Sequence, residues 1–173
     1  MPRVLVGSFA VIILFGGATG VSAVEDIKRD TIGPWQIEAT FKNDKFEHCA
    51  VNRKIDDVTA SFVHTNDGLS LALQSPNWKL ERGKSYAVHM KAGTVSWDAQ
   101  VAADTNSVSV PIRDKRFDNG LRLANALIVE GAGATIRIPL DQSRVALGRL
   151  DECVAKNSRA IETNPFVAPN RQP

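Results

Sequence analysis

Three histidines, two cysteines and three tryptophans are the side chains of this 173-residue chain that most invite a functional assignment. His48, His64 and His89 fall in three separate segments, and no H-x-H or H-x-x-x-H spacing makes any two of them joint metal ligands. Each reads as a polar residue of a strand, and no metal is assigned. Cys49 and Cys153 lack the C-x-x-C spacing of a redox or zinc pair, and are expected to form one structural disulfide. Closing a loop of roughly 100 residues, it would contribute about 4–5 kcal/mol on the chain-entropy account. Ser70 and Ser96 sit in no G-x-S-x-G elbow, so neither is assigned as a nucleophile. The adjacent carboxylates Asp56-Asp57 and Asp151-Glu152 read as turn and helix-surface charge. Gly131-Ala132-Gly133 reads as a hairpin turn rather than a phosphate cradle, because no helix follows it. No catalytic residue and no cofactor are therefore assigned.

Binding has better candidates. Trp78 follows Pro76-Asn77 at a loop–strand junction, where a tryptophan offers a flat apolar platform to a ligand or else plugs the end of a sheet. Arg82 and Lys84 flank the next strand and would suit an anionic glycan or a membrane surface; interleaved acids favour solvated charge instead. Trp78, Arg82 and Lys84 are the candidate ligand-binding residues, whereas Trp35 and Trp97 fall on inward strand faces.

The elements that must position these residues follow from period-two alternation. Trp35, Ile37, Ala39 and Phe41 mark one strand; Cys49, Val51 and Ile55 mark the buried face of a second. Val58 to Thr65 and Gly68 to Leu73 form a hairpin about Asn66-Asp67-Gly68, which supplies the positive-φ residues of a tight turn. Tyr86, Val88 and Met90, then Val95, Trp97, Ala99 and Val101, then Val108, Val110 and Ile112 mark three more. Residues from Asp114 to Ala124 suit one or two helical turns, with Asn125 as a left-handed stop. A last hairpin pairs Leu127-Ile128-Val129 with Ile136, Ile138 and Leu140. From Ser143 the period becomes 3.6, with Ala146, Leu147, Leu150, Cys153 and Val154 on one stripe. One bond from Cys49 to Cys153 would then staple that helix to the sheet.

The expected fold is mainly β: an antiparallel sandwich, or partly open barrel, of about eight to nine short strands with a C-terminal amphipathic helix packed on it. Residues 24–32 are a lead-in, 33–157 the domain and 158–173 a disordered tail.

The first 23 residues set the compartment. Met1-Pro2-Arg3 precedes a run without charge from Val4 to Ala23, centred on Phe9 to Phe15 and closing on the small-residue site Val21-Ser22-Ala23. Cleavage after Ala23 is expected. The alternative, an uncleaved anchor of about 20 residues, is weakened by Gly16-Gly17 and Gly20 within the run. The mature protein is expected to be periplasmic or secreted, without stable membrane insertion. A net charge of +2 falls short of the one-signed surface that nucleic acid selects.

Gly33-Pro34-Trp35-Gln36-Ile37, Cys49 with Arg53, Trp78-Lys79-Leu80, Gly83 to Val88, and Ile136 to Leu140 leading into a helix that carries Cys153 come in a familiar order. The chain resembles uncharacterised exported proteins of alphaproteobacteria. More distantly it is similar to the invasion-associated locus B family of small envelope proteins, without that family's additional cysteines. The resemblance implies an envelope or host-interaction role and no catalytic residues. The expected function is therefore non-catalytic binding of an envelope protein or surface ligand. The alternative is a small periplasmic hydrolase or metal-dependent enzyme whose site is assembled only in the fold.

Overall fold

The structure, a computed structural model, describes residues 25–43 and 45–162, with side chains placed between 29 and 158. The expected signal peptide and residues 163–173 of the expected tail lie outside the described residues.

The alternation produces one antiparallel sheet. Its strands are β1 (Glu25–Ile32), β2 (Trp35–Lys42), β3 (Lys45–Ile55), β4 (Val58–Thr65), β5 (Gly68–Gln74), β6 (Ser85–Ala92), β7 (Val95–Ala103), β8 (Ser107–Pro111), β9 (Ala126–Glu130) and β10 (Thr135–Pro139). Helix α1 (Lys115–Leu123) links β8 to β9, and α2 (Ser143–Glu162) follows β10. The spatial order is β1-β2-β3-β4-β5-β8-β7-β6-β9-β10.

Three expectations are corrected. Residues 25–32, read as a lead-in, form β1, paired along its length with β2. Its sequence EDIKRDTI carries charges on both faces, which hides the alternation and suits an edge strand that must discourage pairing with other chains. Residues 158–162, expected to belong to the tail, are helical, because α2 runs to Glu162. Turn geometry also differs: in the Asn66-Asp67 hairpin only Gly68 has a positive φ, of 115°, and α1 ends on an extended Ala124 rather than a left-handed Asn125.

The sheet curls until the turn after β10 meets β2 and β3. The Trp35 indole N–H donates to the Asp141 carbonyl at 2.8 Å, and Arg53 donates to the Asp141 carboxylate at 2.7 Å. Edges β1 and β10 are not paired with each other, so the barrel stays open. Gly33 belongs to this closure: its φ is 53°, and a Cβ there would stand 2.6 Å from the Gln142 side chain. Helix α2 lies across β2, β3 and β4 with Ala146, Leu147 and Leu150 fully buried against Val51 and Phe62. The expected disulfide is present between Cys49 of β3 and Cys153 of α2. A second clamp runs from Asp118 of α1 through Arg122 to Asp151 of α2, with bonds of 3.0 and 2.9 Å.

Candidate functional site

Beyond β5 the short helix α1 packs on β6 and β7, where Phe117 meets Trp97, but it leaves an open cleft of about 430 Å³ beside Trp78. Inward residues stand side by side across the ladders, as the registers Leu73–Val108, Tyr86–Val101 and Val129–Ile136 require. Leu73, Val101 and Val129 are buried and make the floor; Tyr86, Val88, Val108 and Ile136 are half-buried and rise as walls. The Gly131–Ala134 turn closes one side with small side chains, and Trp78 with Leu80 closes another. No residue lining the cleft carries a charge.

The Trp78 wall is held by a polar anchor. Ser75, fully buried, donates its hydroxyl to Asp57 at 2.8 Å, and the Asn77 amide donates to the same oxygen at 3.0 Å. The Ser75 hydroxyl, and after it the Asn77 amide, holds the Asp57 carboxyl below the usual carboxylate range. The connection is then stitched to β7 and the β7–β8 turn by bonds from Leu80 N–H to the Thr105 carbonyl and from Gly83 N–H to the Ala103 carbonyl, each 2.8 Å. The turn charge Asp57 thus fixes a loop eighteen to twenty residues away in sequence.

Of the three candidate binding residues, the fold sets Trp78 in the cleft and Lys84 beside one of its lining residues. Trp78 lines the cleft, and the Lys84 ammonium lies 5.7 Å from the ring centroid of Tyr86, which lines it too. Lys84 also donates to Glu81 at 2.9 Å, which raises its pKa. Arg82 instead donates to Asp104 at 2.7 Å, and neither it nor Lys84 is among the lining residues. Trp35 is buried as expected, and Trp97 is half-buried with its ring 5.4 Å from Phe117 of α1.

The histidines do not converge. His48 lies 3.7 Å from Glu47, His89 2.7 Å from Asp98, and His64 Nδ1 3.3 Å from Asp151 without the alignment of a hydrogen bond. Among the described residues no group of three or more histidines, cysteines and carboxylates could hold a metal ion. Asp151 is more than the helix-surface charge expected of it, since both His64 and Arg122 face it.

A second groove, of about 390 Å³, runs between β1–β2 and α2 above the disulfide. Its charges are largely satisfied within the protein: Arg149 pairs with Glu152 at 2.8 Å and Arg29 with Glu38 at 3.6 Å. Of the two, the uncharged cleft is the better ligand site, because burying an apolar surface there displaces no ion pair. Among the described residues no helix is long and apolar enough to cross a membrane.

Sequence reasoning singled out Trp78, Arg82 and Lys84, of which Trp78 lines the cleft, and took Tyr86, Val88, Val108 and Ile136 for ordinary core. The available signal was quantitative: one amphipathic helix and one or two further helical turns cannot cover every inward face of so wide a sheet. Comparison with known proteins finds no family model, no curated protein and no solved structure that matches the chain.

Proposed function

We propose that this is an exported protein of the cell envelope, periplasmic or secreted, that holds a partner or surface ligand rather than transforming one. The Trp78 cleft is its contact surface. The observation carrying this reading is the cleft itself: a concave, uncharged face on paired strands, with the Lys84 ammonium beside Tyr86 at its margin and neither carboxylate nor imidazole among its lining residues. Support for the compartment comes from the uncharged leader and from the intramolecular disulfide, a bond typical of oxidising environments. The similarity to the invasion-associated locus B family points to the same place. Immobilised protein exposed to an envelope extract of its source cells should retain a specific protein or extractable molecule, identified by mass spectrometry. That capture should be lost in Gly133→Trp, which fills the cleft. Retention of nothing beyond what Gly133→Trp retains would overturn the reading.

A further inference from the structure

The cleft has an apolar interior and unlike margins, with the Lys84 cation beside Tyr86 on one side and the acids Asp98 and Glu130 in an adjoining depression beyond Ala87 and Gly131 on the other, and that asymmetry specifies its occupant. Neither the Trp78 indole N–H nor the Tyr86 hydroxyl has a hydrogen-bond partner among the described residues, although both side chains line the cleft. Lys84 stands over Tyr86 and brings a positive charge to the same side. The acids near the opposite wall face away: Glu130 and Asp98 lie with His89 on the outer surface of β9, β7 and β6, where His89 pairs across to both strands. Free donors and a cation beside an uncharged interior fit a molecule with an aliphatic body and an anionic, hydrogen-bond-accepting head.

Resting on the binding function proposed above, we infer that the cleft takes a monomeric single-chain amphiphile bearing a carboxylate, with its chain between Trp78, Val108 and Ile136 and its head toward Lys84. Chain burial supplies the affinity, because removing methylenes from water is the dominant favourable contribution in such a site. The head sets orientation. Glu81 competes for Lys84 in the empty protein, so the bound carboxylate must replace or share that partner.

Titrating the purified protein with octanoate, decanoate and dodecanoate, each as monomer, and with dodecanol tests this by calorimetry. Affinity should rise by up to about fourfold for each added methylene. Gly133→Trp suits the blocking experiment, since a Cβ at Gly133 meets nothing within 4 Å and the wild-type glycine needs no positive φ. It should weaken all three carboxylates by about tenfold or more, with an unchanged circular-dichroism spectrum and melting temperature. Lys84→Glu should weaken dodecanoate by about two- to fivefold and leave dodecanol unchanged, while Glu81→Gln should tighten dodecanoate. Affinity independent of chain length, or unaffected by Gly133→Trp, overturns the inference. So does binding to vesicles of anionic lipid without uptake of the monomer, which would make the rim a membrane contact. A captured protein lost in Gly133→Trp, with no carboxylate bound, overturns the ligand class and leaves the binding function standing. Loss of both overturns the two together.

Discussion

Strands β2 to β4 present to α2 the same alternation of apolar residues that β6 to β10 present to the cleft, with opposite outcomes. Cys49, Val51, Ala60 and Phe62 are completely buried, whereas Tyr86, Val88 and Ile136 remain half-exposed on an identical pleat. What differs is the cover. Helix α2, placed over β2, β3 and β4 and bonded there through Cys153, seals that half; in the other, α1 packs on β6 and β7 through Phe117 and Trp97 but lines no part of the cleft, which is bounded by a loop and a glycine-rich turn. Packing in the sealed half therefore serves stability, and incomplete packing in the other is what leaves the cleft open.

The comparison breaks most directly at the staple. Replacing Cys49 and Cys153 by serine should lower stability by about 2–5 kcal/mol. Urea unfolding checks this, while ligand affinity at the cleft should change little if the two halves are independent. Leu150→Ala removes a fully buried side chain under the helix and should cost about 2–4 kcal/mol by the same measurement. The matching change in the open half, Val108→Ala, should cost less than about 1 kcal/mol, because a half-buried site loses less transfer energy and leaves no closed cavity. Equal costs at the two positions would show that the cleft closes in solution.

Smaller effects sharpen the boundary between the halves. Arg122→Met, which frees Asp118 and Asp151 from their shared cation, should cost about 1 kcal/mol and loosen α1 against α2, visible as faster amide exchange at Leu121. The acid limb concerns the Trp78 wall. Asp57 has a folded pKa below its unfolded value of about 3.9. Its contribution is therefore complete above the unfolded pKa and lost as pH falls through the folded one. Asp57→Asn should flatten the decline in melting temperature below about pH 4. The same variant should weaken cleft binding at neutral pH, because Asp57 anchors Ser75 and Asn77.

Much of the architecture was legible in advance. Long apolar–polar alternations such as 35–41 and 95–101 and the 3.6-period stripe of 146–154 announced strands and helix without ambiguity, and a cysteine on each apolar face implied their bond. β1 was not legible, since its neighbours in sequence and its own charges give no period; pairing with β2 makes it a strand. Nor was the anchor of the Trp78 wall, since Asp57, Ser75 and Asn77 are unremarkable turn residues until the fold brings them within 3.0 Å.

The sequence by itself determined the class of elements, the inward and outward faces of nearly every strand and the pairing of its two cysteines, because side-chain periodicity is a local property of the backbone. Only the tertiary structure decided which inward faces would be covered. That depends on where α2 can lie once the sheet has curled and Cys153 has met Cys49, a constraint between residues 104 positions apart that no local pattern encodes. The same placement left Trp78, Tyr86, Val88 and Ile136 around an open cleft, with Lys84 beside Tyr86, where the sequence read core residues and a solvated charge.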